Sequence, residues 1–270
     1  MPDDGAFYTA TYGNFTAACL RQVRAETYGG EDIGQNGWLT AAEFRCFSGW
    51  LGIDAGSVVL DVGSGSGGPA LFMARELGCR VTGVDRDEHG VAAANEQAQR
   101  DGLDGRAWFL AADASKPVLE FPAGAFTAVM CIDAITHLPG RRQVLGDWHR
   151  LLAPGGRILY TDPAVLTGLV SSEEFAARSS IGYTEFAAPG EDERLIAAAG
   201  FELLHREDAT ENIAAVSGRW HAARARHRAD LVPIEGETDF EEMQAGMATV
   251  HRLSSERRLS RIVLVGERRQ

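Results

Sequence analysis

The sequence predicts an α/β protein, a mostly parallel sheet covered by helices on both faces. Three observations carry this. Between residues 58 and 162, short apolar, β-prone runs alternate with stretches of helical periodicity, the rhythm of successive strand–helix units. Each of the five central runs ends on an acid: Asp61, Asp85, Asp113, Asp133 and Asp162. The first run stops at a turn of alternating glycines, Gly63-Ser64-Gly65-Ser66-Gly67, which frees the backbone to bend tightly or to lie against a ligand. Open α/β sheets bind ligands outside the carboxyl ends of their strands. The five acids and the glycine turn therefore mark one candidate rim.

The elements follow in order. Residues 6–26 place Phe7, Tyr8, Tyr12, Phe15, Cys19 and Val23 at roughly helical spacing, giving one or two helices. The segment from Tyr28 to Trp38 is too rich in glycine for a helix and is expected to be a loop, either a ligand flap or a surface connection held by its two aromatics. Residues 40–51 open with Thr40-Ala-Ala-Glu43, the pattern of a capping box, and pack through Phe44, Phe47 and Trp50. Then come strand 58–62, helix 69–77, strand 79–84, helix 89–101, and strands 107–111 and 126–132. Helix 141–152 carries an apolar stripe at Val144, Leu145, Trp148, Leu151 and Leu152, and the turn Ala153-Pro154-Gly155-Gly156 stops it. Strand 157–161 follows. Residues 164–190 break the rhythm and read as an insertion, helical in part, over the ligand edge. Helix 191–199, strand 201–205, two helices over 210–231 and 238–257 with a break near Pro233, and strand 261–265 complete the chain. Seven strands result. Residues 1–52 are expected to form a helical N-terminal cap and flap, and residues 53–270 the catalytic domain, with 164–190 as its lid.

At 270 residues the chain is long enough for one large α/β domain with appendages. Its formal net charge of −12 disfavours a broad nucleic-acid or anionic-membrane surface. The Arg-rich run 219–228 reads as a solvated helix face rather than an RNA-binding patch. No apolar stretch approaches the ~20 residues needed to span a bilayer, and the acidic N-terminus lacks a signal-peptide pattern. Four dispersed cysteines without a CxxC spacing suit reduced thiols in a cytoplasmic protein. No HExxH or Cys/His cluster suggests zinc, and no metal is expected.

The rim residues suggest a ligand. Gly63-x-Gly65-x-x-Gly68 matches the dinucleotide fingerprint, so a nicotinamide-dependent oxidoreductase is one reading. Asp61 beside the glycines would repel a pyrophosphate, however, and suits a ligand with an ammonium group and no phosphate. Asp85 lies twenty positions after Gly65, the usual gap to an acid that takes a ribose hydroxyl pair. Arg86 is placed to stack on an adenine or to lie in solvent. His137, just beyond the fourth strand, is the best candidate for a general base; a pocket-lining role is the alternative.

Asp61-Val-Gly63-Ser-Gly65-Ser-Gly67, the acid Asp85, Ala112-Asp113-Ala114 and the turn Leu152-Ala-Pro-Gly-Gly156 together resemble the motifs of the class I S-adenosylmethionine-dependent methyltransferases. Tyr28-Gly-Gly-Glu-Asp-Ile-Gly34 is similar to the N-terminal segment of the glycine/sarcosine/dimethylglycine methyltransferases and, more loosely, of the phosphoethanolamine group, with Gly34 where that family usually has His. The resemblance implies a Rossmann-like, seven-stranded, mostly parallel sheet whose last strand is antiparallel. It implies S-adenosyl-L-methionine as methyl donor, held by Asp61, Gly63, Gly65, Gly67, Asp85, Arg86, Asp113, Ala114, Ile132 and Trp38. It implies Tyr28 as the aromatic near the transferring methyl. The expected activity is N-, O- or C-methylation of a small-molecule acceptor, in secondary metabolism among other settings, by a monomer or homodimer. A non-catalytic S-adenosylmethionine-binding protein is the remaining alternative.

Overall fold

In the computed structural model of the chain, residues 11–116, 121–180 and 182–269 are described. Phe7 and Tyr8 lie outside them. Residues 11–13 are helical, helix α1 (Ala18–Tyr28) ends at Gly29, and a short 3₁₀ turn leads into the glycine-rich loop. Helix α2 (Ala41–Leu51) starts where expected, with the Thr40 side chain accepting from the Glu43 amide, and stops at Gly52 in the left-handed region.

Strand–helix alternation then runs as β1 (Val58–Val62), α3 (Gly68–Leu77), β2 (Arg80–Asp85), α4 (Glu88–Arg100), β3 (Ala107–Ala111), β4 (Phe126–Cys131) and α5 (Arg141–Leu151). Strand β5 (Leu152–Leu166) is longer than the pattern suggests. The expected turn at 153–156 is a bulge inside it: Phe126 pairs with Leu152 and Ala128 with Arg157, so the extra residues loop out around Gly155 at φ 76°. The insertion supplies the end of β5, helix α6 (Ser172–Arg178) with a complete Ser171/Glu174 capping box, and a loop that bridges back from Ala187 to Val165. Helix α7 (Glu191–Ala198) and strand β6 (Phe201–Asp208) follow. Three helices, α8 (Thr210–Arg226), α9 (Arg228–Glu235) and α10 (Glu237–Ser255), precede β7 (Leu259–Arg268). The expected break falls at Gly236, between α9 and α10, with Pro233 inside α9, and a second break, not expected, falls at His227. His227 is held there by Glu26, 2.7 Å away.

The seven strands lie in the order β3-β2-β1-β4-β5-β7-β6, with β7 antiparallel to both its neighbours and the other pairs parallel. One apolar cluster covers each face of the sheet. A third lies off the sheet and joins α1 and the Trp38 loop to α8, α9 and α10 through Val23, Tyr28, Trp38, Ile213, Trp220, Phe240 and Met247. The cap is thus built from both ends of the chain, not from residues 1–52 alone. It roofs the carboxyl ends of the central strands. None of the described helices is long and apolar enough to cross a membrane, and the four cysteines are free.

Candidate functional site

A cavity of about 750 Å³ opens along the carboxyl ends of β1 to β4, beneath the cap and the α6 lid. Its floor comes from the strand ends and their turns, with Gly63, Asp85, Arg86, Asp113, Ala114, Ile132 and Asp133. Its roof comes from Tyr12, Trp38, Arg178, Tyr183, Trp220, Met243 and Met247. A smaller recess of about 50 Å³ is lined by Asp61, Gly63, Ser64, Gly65 and Ser66 on one side and by Gly34 to Gly37 on the other. Tyr12, Asn36, Gly37, Gly63, Ile132 and Asp133 line both spaces.

The glycine turn is forced by its surroundings. Gly65 has φ 52°, and a Cβ there would come within 2.5 Å of the Tyr12 hydroxyl. At Gly68, the first residue of α3, a Cβ would run into the Gly34 carbonyl. The cap loop therefore lies directly on the helix that follows the turn. A bulkier residue at 68 would push the loop away, and Gly34 itself, at φ 80°, has Gly68 Cα within 3.4 Å of where its Cβ would stand.

The five strand-end acids divide into two groups. Asp61 is 3% exposed, and its Oδ2 makes no hydrogen bond. Burial, with the charge of Asp85 nearby, pushes its pKa up to about 8. Asp85 lines the large cavity; its Oδ2 accepts from the Gly65 amide at 2.8 Å and its Oδ1 from the Asp87 amide at 2.9 Å. Burial raises its pKa, with those two amides working against the shift. Each oxygen keeps a lone pair for a further donor. At Asp113 burial also acts upward, but hydrogen bonds from Ser115 and Lys116 bring the carboxyl below its ordinary value. These three acids share the rim.

The other two serve the fold. Asp162 is fully buried and paired with Arg141, which also meets Asp192 at 2.9 Å. It does not line the cavity. Asp133 reaches the rim in the left-handed region at φ 56°, but its carboxylate is engaged: the Trp38 amide donates to Oδ2 at 2.9 Å, the Thr161 hydroxyl to Oδ1 at 2.7 Å, and Arg261 Nε to Oδ1 at 2.6 Å. Four of the five expected acids thus reach the rim, Asp133 with its carboxylate already engaged, and Asp162 does not. A lone acid after a strand looks the same whether it faces a ligand or a buried arginine.

His137 lines the cavity, with its Nδ1 2.7 Å from the Tyr183 carbonyl. Because a carbonyl only accepts, Nδ1 carries the proton and Nε2 is left as the basic nitrogen. Burial, followed by the positive charge of Arg178, lowers its pKa to about 4. Tyr28, by contrast, is 5% exposed and does not line the cavity. Its hydroxyl donates to the Gly37 carbonyl at 2.6 Å, its ring meets Trp220 edge-on at 6.0 Å, and burial raises its pKa. It braces the loop from behind. The aromatic that stands over the glycine turn is Tyr12, which the sequence offered only as a helical core residue. Trp38 does line the cavity, edge-on to Trp220 at 5.8 Å, and its carbonyl accepts from Asn212 at 2.9 Å. Met243, Met247 and Arg178 were not singled out from sequence, and Trp220 lay in the run 219–228 read as a solvated helix face, whereas it is buried. No group of three or more His, Cys, Asp or Glu suited to a metal occurs among the described residues.

Residues 59–156 match the family model of a methyltransferase domain. Sterol 24-C-methyltransferase ERG6B of Gibberella zeae is 34% identical over 58% of this chain and 43% of its own length. The chain spans about half the length of the first curated relatives it matches. Among solved structures, phosphoethanolamine N-methyltransferase 2 of Haemonchus contortus superposes with a TM-score of 0.78 at 20% identity, covering 97% of this chain and 60% of that one. The [4+2]-cyclase SpnF superposes with a TM-score of 0.76 at 22% identity, covering 96% and 94%. At these identities the superpositions speak for the fold.

Proposed function

We propose, from the methyltransferase-domain match over residues 59–156, that this chain is a class I S-adenosylmethionine-dependent methyltransferase acting on a small-molecule acceptor. The observation that carries the proposal is Asp61 Oδ2, a buried carboxylate oxygen without a partner beside the glycine turn. An unpaired buried acceptor is costly, and the donor's ammonium would satisfy it. A pyrophosphate would worsen it, which speaks against a nicotinamide dinucleotide.

The residues present fit the donor. Asp61 and the backbone of Gly63, Gly65 and Gly67 would hold its amino-acid end. Asp85 has acceptor capacity for the ribose hydroxyls, and Asp113, Ala114, Arg86 and Ile132 line the cavity where the adenine would lie. The bound donor supplies an activated methyl on a positively charged sulfur. The chain's own work is to align the acceptor and exclude water, and alignment in a well-oriented case contributes ~7–11 kcal/mol. Tyr12 lines both spaces at their junction, and Trp38 lines the large one. His137, which lines the cavity, is on this reading the general base. Tyr28 acts on this reading as a positioning residue, through Gly37. The four free cysteines support a reducing, cytoplasmic setting for a monomer or homodimer.

Thermal-shift titration with S-adenosylhomocysteine and with NAD⁺ tests the donor assignment. A rise in melting temperature with S-adenosylhomocysteine, lost in Asp85→Ala, is expected. A rise with NAD⁺ alone would overturn it. Methyl transfer to any acceptor in a metabolite screen separates the enzyme from a non-catalytic binder.

A further inference from the structure

Resting on the methyltransferase reading, we infer that Asn212 is a positioning residue for the donor site: from the first turn of α8, outside both spaces, it holds the Trp38 peptide and through it keeps the loop of residues 31–39 seated over the glycine turn.

The loop is tied to itself as one piece. Gln35 is 2% exposed; its Nε2 donates to the Glu31 carbonyl at 3.0 Å and the Leu39 carbonyl at 2.9 Å, and its Oε1 accepts from the Ile33 amide at 2.7 Å. A loop braced from inside moves as a unit, so its place over the recess depends on its footings. One footing is Gly34, packed on Gly68 at the start of α3. The other is the Gly37–Trp38 end, where Tyr28 donates to the Gly37 carbonyl and Trp38 is gripped on both sides of its Cα.

That grip is a closed circuit. The Trp38 amide donates to Asp133 Oδ2 at 2.9 Å, and the Trp38 carbonyl accepts from Asn212 Nδ2, 174 positions later, also at 2.9 Å. The same Nδ2 donates to Glu43 Oε2 at 2.8 Å. Arg261 Nη1 donates to Glu43 Oε1 at 2.6 Å, and Arg261 Nε returns to Asp133 Oδ1 at 2.6 Å. The circuit begins and ends on the two peptide groups that flank one Cα. Both groups that Asn212 faces are acceptors, so its amide nitrogen, with two hydrogens, serves both; an aspartate or a leucine of similar size would serve neither. Fixing both peptides fixes the backbone at Trp38 and with it the direction open to the indole. The indole lines the large cavity, edge-on to Trp220, and Asn36 and Gly37 just before it line both spaces. With Asn212 gone, the loop must be reseated as the donor arrives, and that ordering cost comes out of the affinity.

The test is calorimetric titration with S-adenosylhomocysteine, each variant first shown to be folded by a cooperative urea transition. Asn212→Ala should weaken binding about ten-fold or more in the wild-type chain, and about two-fold or less in a chain that already carries Trp38→Ala, because a residue acting through the indole has nothing to place once the indole is gone. A purely structural role would cost the same in both backgrounds. Asn212→Gln, which keeps the amide nitrogen, should recover part of the loss. A smaller loss in the wild-type chain, a larger one in the Trp38→Ala chain, or no recovery in Asn212→Gln would each overturn the inference while leaving the donor assignment standing. Failure of the wild-type protein to bind S-adenosylhomocysteine would instead remove the methyltransferase reading itself.

Discussion

Arg261 on β7 and Asp133 at the end of β4 meet at 2.6 Å with the guanidinium fully buried, and the same guanidinium reaches Glu43 on α2, also at 2.6 Å. One side chain thus ties the sheet, the cavity rim and the cap together. Asp133 in turn holds the Trp38 amide, so the loop over the cavity is fixed through this pair. Removing one partner of a buried ion pair leaves the other uncompensated. Arg261→Met is expected to destabilise the protein by about 3–5 kcal/mol in denaturant titration. A loss below about 1 kcal/mol, within the range of a surface pair, would show that the pair does not anchor the cap.

Asp85→Ala removes a carboxylate that accepts two backbone amides and, on our reading, the donor's ribose. S-adenosylhomocysteine affinity should fall by about 1.5–3 kcal/mol, the range for hydrogen bonds to a charged group. Asp85→Asn should fall less. Calorimetry measures both, and unchanged affinity in the alanine variant contradicts the ribose assignment.

Asp61 makes stability and binding respond to pH in opposite directions. Its folded pKa of about 8 lies above the ordinary carboxyl value, so between about 4 and 8 the folded state holds a proton that the unfolded state has released. Asp61 therefore contributes stability that is greatest below pH 4 and is lost as pH rises through 8, by up to about 1.4 kcal/mol per unit. Asp61→Asn should remove that part of the slope in urea titrations from pH 5 to 8. Binding of an ammonium requires the ionised carboxyl, so donor binding near pH 7 should release about one proton, visible as a dependence of the calorimetric heat on the buffer's ionisation enthalpy. The same heat in all buffers would count against the contact.

His137 runs the other way. Its folded pKa near 4 lies below the usual value for histidine, so the contribution is complete above pH 6.5 and is lost as pH falls toward 4. His137→Ala should flatten the acid limb of the stability curve. It should also lower turnover with little change in S-adenosylhomocysteine affinity. Full activity in that variant removes the role as base.

Gly68→Ala tests the contact between cap loop and turn. The added methyl has no room beside the Gly34 carbonyl, and overpacking of this kind costs about 1–3 kcal/mol. Because the loop must shift, donor affinity should fall alongside stability. If both stay at wild-type values, the loop is not seated on α3 in solution.

Legibility in the sequence followed range. The alternation of β1 to β5 with their helices, the glycine turn and the rim acids Asp61, Asp85 and Asp113 are local patterns, each set within a few residues, and they are found where the pattern puts them. Asp162 and Asp133 show the limit: their partners Arg141, Arg261 and Thr161 come from elsewhere in the chain, and a strand-end acid carries no mark of them. Tyr28 and Tyr12 sit in similar aromatic surroundings, yet only Tyr12 reaches the cavity. Tyr28 is turned instead against Trp220, a partner from the distal helices. The bulge in β5 was hidden because Pro-Gly-Gly reads as a turn whether or not the strand resumes its pairing beyond it.

The shared roof has a bearing on how the molecule is made. Parallel strands β1 to β5 leave the ribosome early and can pair while the distal helices are still being translated. Leu20 and Val23, however, have their packing partners Ile213 and Val216 some 190 positions later. During synthesis the leading helix therefore waits with its greasy side bare, an opening for chaperones, until the trailing segment arrives to cover it.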